Sequence, residues 1–65
     1  MSLENINLER NLPAMSIDAI FTQITQTCYS RYHDYLKGAS KKALAPYDER
    51  LDLLRREIKR RLKAA

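Results

Sequence analysis

Residues 16–38 read SIDAIFTQITQTCYSRYHDYLKG, and the spacing of the apolar side chains in this stretch decides the predicted fold. Apolar residues recur every three or four positions, so on a helix they fall within one arc of about 120°. Polarity does not alternate between neighbours, as it would in a half-buried strand, so the helical period is favoured. This apolar arc consists of Ile17, Ile20, Phe21, Ile24, Cys28, Tyr32 and Tyr35.

Local signals set the ends of two predicted helices. Ser16 can accept a hydrogen bond from the first helical turn, and Gly38 can adopt the left-handed conformation that ends a helix, so the first helix spans residues 16–37. After a connection, Pro46 fits the first position of a second helix, which we expect to run to residue 63. The apolar stripe of this second helix consists of Tyr47, Leu51, Leu54, Ile58 and Leu62.

Two helices joined by a short connection predict an all-α antiparallel hairpin over residues 16–65. The apolar arc of the first helix, which includes Cys28 as a core residue, is then expected to face the stripe of the second. The preceding segment, residues 1–15, has apolar side chains without a clean period, and Pro13 favours an extended conformation at Leu12. We therefore predict an N-terminal arm there. The arm is interpreted either as a frayed terminus or as a strap that covers apolar surface on a helix.

A chain of 65 residues has little core of its own, since a domain of this size buries only about 60% of its unfolded surface. Cys28 is the single cysteine, which excludes a disulfide within the chain and favours a reducing compartment. Cys28 and His33 lie five positions apart and point to different faces of a helix, so no structural metal is expected. Dimerisation or a partner protein is therefore predicted to complete the hairpin into a bundle.

The sequence offers no catalytic constellation. His33 and its neighbour Asp34 diverge by about 100° on a helix, and with Gly38 as the single glycine no phosphate-binding loop is present. We expect no enzyme activity, no cofactor and no small-molecule substrate. No signal peptide or membrane-spanning stretch is evident, so a cytoplasmic location is expected and membrane binding is disfavoured.

Some side chains do not fit a simple hairpin and predict a second buried surface. Leu53 lies opposite the stripe of its own helix, and Tyr29 and Leu36 lie beside the stripe of the first helix. The outer face of the first helix is also rich in uncharged Thr, Gln and Ser, which are easier to bury than charges. The candidate partner-binding residues are Tyr29, Leu36, Leu53, Gln26 and Thr25.

Basic residues are concentrated near the end of the chain. Residues 39–65 carry nine basic and four acidic side chains, against three basic and four acidic in residues 1–38. A basic stripe of this kind can contact phosphates, an acidic protein or only solvent, and carboxylates at i+4 spacing can neutralise part of it. The candidate anion or nucleic-acid contacts are Arg55, Arg56, Lys59, Arg60 and Lys63.

These patterns together predict a small interaction protein, such as an adaptor, a chaperone-like cofactor or an inhibitor. It would act by stoichiometric binding, either to a second copy of itself or to another protein. The alternative is a nucleic-acid-binding regulator that uses the basic helix.

Overall fold

The computed structural model describes residues 2–64, which form three α-helices. Helix α1 spans Leu3–Asn11, α2 spans Ile17–Leu36 and α3 spans Lys41–Ala64, and a short 3-10 turn at Leu12–Ala14 follows α1. No residue in this range lies in a strand, which confirms the all-α prediction. Met1 and Ala65, the outermost residues of the predicted arm and hairpin, lie outside the described residues.

Helix α2 has the ends that its capping residues predict. The Ser16 hydroxyl accepts a hydrogen bond from the Ala19 N–H (3.1 Å), and Gly38 follows the helix with φ = +92°. The short connection turns the chain back, so the start of α3 lies beside the end of α2: the Tyr47 hydroxyl donates to Asp34 at 2.6 Å. The two long helices therefore pack as the expected antiparallel pair.

Helix α3 begins at Lys41, so the predicted start at Pro46 is wrong. Ser40 provides the cap, because its hydroxyl accepts a hydrogen bond from the Ala43 N–H (3.2 Å). Pro46 lacks an N–H and therefore leaves the Lys42 carbonyl without its i+4 donor. Only one hydrogen bond is lost near the helix end, and the chain tolerates the proline inside α3.

The predicted arm is a third helix. Ser2 caps α1 by accepting a hydrogen bond from the Asn5 N–H (3.2 Å). The Asn5 side chain is 2% exposed, and its amide donates to the Pro46 carbonyl at 3.0 Å.

Apolar residues from all three helices and the turn form one core. This core consists of Leu8, Leu12, Ile20, Leu53 and Leu54, with Met15, Ile24 and Ile58 packed against it. Within the predicted arm, residues 2–15 thus act as the strap, and the frayed-terminus interpretation is wrong for them.

The end of α3 is tied back to the turn that follows α1. The Arg61 guanidinium donates to the carbonyls of Leu12 (2.9 Å) and Met15 (2.5 Å). Its Nε also donates to Glu57 at 2.7 Å, which fixes the orientation of the guanidinium. Carbonyls at the end of a helix or turn need donors, and Arg61 supplies them to this connection.

Candidate protein-binding site

Helix α2 turns a mixed polar and apolar side toward the rest of the chain. Ile20 and Thr27 are 0% and 4% exposed on this side. Polar contacts to α3 follow the same side: Arg31 pairs with Asp48 at 2.7 Å, and Gln23 accepts a hydrogen bond from Arg50 at 2.5 Å. These contacts fix the rotation of α2 about its own axis.

The opposite side of α2 is an exposed surface, which we call the outer face of α2. Its centre lies about 130° from Ile20 and Thr27 around the helix. The outer face consists of Ile17 (41% exposed), Phe21 (52%), Thr25, Cys28, Tyr29 (73%), Tyr32 (61%), Tyr35 (59%) and Leu36 (65%). None of these eight side chains is charged, and Asp18, which is exposed in the first turn of α2, is the one charged residue of the helix within the same arc.

The outer face includes much of the arc that we predicted to pack against the second helix. Phe21, Cys28 and Tyr32 belong to that arc, yet all three are exposed. Periodicity identifies the apolar side of a helix, but the polar contacts of Gln23 and Arg31 rotate α2 so that only one edge of the arc reaches α3. The expectation that Cys28 is a core residue is therefore wrong.

The candidate partner-binding residues separate into two groups. Tyr29, Leu36 and Thr25 lie on the outer face, and Gln26 is exposed at its margin. Leu53 is only 6% exposed, because α1 covers it with Leu8 and Leu12. Leu53 is therefore buried within its own chain and is not part of the candidate partner-binding surface.

Helices α2 and α3 form a groove on each side of their contact, and α1 lies along one of the two grooves. Helix α1 approaches one side, where Glu4 and Asn5 line a groove together with Gln23 and Gln26. The other side borders the outer face and is open. This open groove is lined by Cys28, Arg31, Tyr32, Asp48, Leu51, Asp52 and Arg55. The outer face and the open groove thus form one continuous surface.

Glu57 forms ion pairs with two of the basic side chains at the end of α3. Its side chain is 7% exposed and accepts hydrogen bonds from Arg60 (2.6 Å) and Arg61 (2.7 Å). These hydrogen bonds and charges overcome the opposing effect of burial and lower the pKa of Glu57 to about 2, and the pKa of Arg60 is raised in turn. Arg56 pairs with Asp52 at i+4 spacing, so carboxylates neutralise part of the basic stripe.

Three of the five predicted anion contacts remain without a carboxylate partner among residues 2–64: Arg55, Lys59 and Lys63. They are spaced four positions apart and therefore lie along one line of α3. Arg55 also lines the open groove, so this line of cations runs next to the apolar surface. The effective basic stripe is narrower than the sequence predicts.

His33 and Asp34, expected to diverge on the helix, lie with Nδ1 and Oδ1 3.8 Å apart, and Asp34 also accepts a hydrogen bond from the Tyr47 hydroxyl. No group of three His, Cys, Asp or Glu side chains that could hold a metal ion is found between residues 2 and 64. The His33 ring stacks on Tyr29, with 6.5 Å between ring centres and an interplanar angle of 16°. Within the same residues, no helix has the length and apolar character required to cross a bilayer.

Comparison of the chain with known protein families, with characterised proteins and with solved structures gives no match.

Proposed function

We propose that this chain is a small non-enzymatic interaction protein that binds another polypeptide at fixed stoichiometry through the outer face of α2. Adaptor, chaperone-like cofactor and inhibitor are the roles that such binding can serve. The partner class is an amphipathic protein surface, because the face offers aromatic rings, aliphatic side chains and hydroxyls, with the Asp18 carboxylate as the charge in its arc.

The amount of exposed apolar surface is the observation that supports this function. At about 200 Å² for a whole aromatic side chain, the four exposed rings of the outer face leave roughly 500 Å² in solvent, and Ile17 and Leu36 raise the total to roughly 700 Å². The largest apolar patch of a typical monomer is only about 300–600 Å². A partner that covers the outer face would remove this surface from water.

A matched pair of variants tests the function. Thr25 lies near the centre of the outer face and Thr22 near its edge, and each hydroxyl donates to the carbonyl four residues earlier, of Phe21 and Asp18 respectively. Thr25→Glu places an unpaired charge in the binding surface, whereas the same change at Thr22 leaves the charge in water. Both substitutions remove the same kind of local hydrogen bond, so a difference in binding between variants of equal helix content reports on the surface.

The measurement is sedimentation of labelled chain in nuclease-treated cytoplasmic extract. Wild type and Thr22→Glu are expected in a complex of defined mass, and Thr25→Glu as a 7.6 kDa monomer with unchanged helix content. A wild type that sediments only as a monomer contradicts the proposed function. A Thr25→Glu variant that keeps its complex contradicts the proposed surface.

A second candidate function, nucleic-acid binding, is supported by the unpaired line of Arg55, Lys59 and Lys63. Three phosphate contacts predict that the logarithm of the affinity falls with the logarithm of salt concentration with a slope of about −3. Changing all three to Gln should abolish retention on RNA or DNA. The same change at Lys37, Lys41 and Lys42, at the other end of the helical pair, is the control. Equal loss in both triple variants would show only a general charge effect.

A further inference from the structure

The partner class proposed above can be narrowed from the arrangement of side chains along α2. Resting on the proposed function, we infer that the occupant of the outer face is a second copy of this chain, with the two α2 helices packed antiparallel about a two-fold axis. A two-fold interface uses the same patch on both copies, so the patch must be complementary to itself. The outer face of α2 meets this condition in the register that places the middle of the helix at the axis.

In that register, the middle of α2 lies at the axis and each helix runs opposite to the other. Ile17 then faces Leu36 of the second copy, and Phe21 faces Tyr32 of the second copy. Near the axis, Thr25 faces Cys28 of the second copy. Every outer-face residue in these pairs meets another uncharged residue of the same face, and the larger side chains occur in pairs on both sides of the axis.

The charges of α2 also favour this arrangement. Asp18, which lies in the arc of the outer face in the first turn, comes opposite Tyr35 of the second copy, whose hydroxyl can donate to a carboxylate. Arg31 and Asp34 are turned toward α3, where they contact Asp48 and Tyr47. No like charges therefore meet across the axis. Antiparallel helices also place the positive end of each helix dipole beside the negative end of the other.

The available area fits a dimer. Complete coverage of the roughly 700 Å² exposed on each copy would bury a total near 1,400 Å², within the range of about 1,200–2,000 Å² for specific interfaces. Nucleic acid, the other class of partner considered, is disfavoured at this surface because all eight side chains of the outer face are uncharged.

Sedimentation equilibrium of the purified chain tests the inference directly. Wild type at about 100 µM is expected at twice the 7.6 kDa chain mass. Thr25→Glu should weaken the dimer by roughly tenfold or more, because two introduced carboxylates lie near the axis, while Thr22→Glu should stay dimeric. A purified wild-type chain that remains a monomer would overturn the inference.

Disulfide formation tests the register independently of dimer strength. Thr25→Cys places a new thiol opposite Cys28 of the second copy, where two Cα atoms within about 7 Å can form a disulfide under mild oxidation. We expect Thr25→Cys to form covalent dimers roughly tenfold faster than wild type or Thr22→Cys, since a disulfide needs specific geometry. Equal rates in all three proteins would exclude this register.

The dimer and the general function can fail separately. Suppose that the pure chain is monomeric, but that it forms a complex in extract which Thr25→Glu disrupts. That result would overturn the dimer and leave the proposed protein-binding function standing. A pure chain and an extract sample that both contain only monomer would overturn both.

Discussion

At the scale of single residues, the burial of Leu53 separates the observed fold from a bare hairpin. Leu53 is 6% exposed in the core shared with α1, whereas Leu62, a member of the predicted apolar stripe, is 71% exposed. Leu53→Ala should therefore lower the free energy of unfolding by about 2–3 kcal/mol through lost burial and a cavity. The measurement is urea unfolding followed by circular dichroism.

Leu62→Ala is the matched control, since an exposed substitution usually changes stability by no more than about 0.5 kcal/mol. Equal effects of the two substitutions would contradict the packing of α1 over Leu53.

Glu57 gives the fold a dependence on acidity. Its pKa in the folded chain is about 2, below the ordinary value of 4.5, because Arg60 and Arg61 stabilise the carboxylate. The carboxylate therefore stabilises the folded state fully above pH 4.5, and this contribution disappears as the pH falls toward 2. Thermal melts across this interval should show a decline in melting temperature that is smaller in Glu57→Gln. Parallel curves for the two proteins would contradict the role of Glu57.

At the scale of helices, Asn5 fixes α1 to α3 through its amide. Asn5→Ala removes the hydrogen bond to the Pro46 carbonyl, which should cost about 1 kcal/mol. The loss is expected mainly in α1, because the contacts between α2 and α3 remain. Hydrogen exchange of the α1 amides should accelerate more than that of the α3 amides. Uniform acceleration along the chain would indicate that α1 does not open by itself.

The same asparagine explains why α1 could not be predicted from hydrophobic periodicity. The buried positions Asn5, Leu8 and Leu12 have helical spacing, but the first is polar and the exposed Leu3 and Ile6 blur the pattern. The helix ends at Ser16 and Gly38 were predictable because capping depends on local chemistry.

The side of α2 used within the chain was not predictable, since it depends on long-range contacts such as the Arg50–Gln23 hydrogen bond. The sequence did identify Tyr29 and Leu36 as lying outside the stripe of α2, and both are exposed. It also placed Leu53 off the stripe of α3, without indicating that α1 covers it. Apolar residues outside the two stripes thus indicated further apolar surface. Only the fold shows that α1 buries Leu53 whereas Tyr29 and Leu36 remain exposed.

At the scale of the molecule, the core is small and a partner should add to its stability. Seven apolar side chains are buried within residues 2–64: Leu8, Leu12, Ile20, Leu44, Leu51, Leu53 and Leu54. A second copy that binds the folded chain stabilises it by mass action, so the stability of a dimer rises with chain concentration. The melting temperature of wild type and Thr22→Glu should therefore rise with concentration. That of Thr25→Glu should rise less over the same concentrations, and a constant value for wild type would contradict assembly through α2.

Arg61 couples the unfolding of two parts of this small protein that are distant in sequence. Its guanidinium joins the last turns of α3 to the carbonyls of Leu12 and Met15, nearly fifty positions earlier. Fraying at one of these places removes the anchor of the other, so the beginning and the end of the chain should lose protection from proteolysis together. A cut at either terminal region would then be followed quickly by a cut at the opposite one.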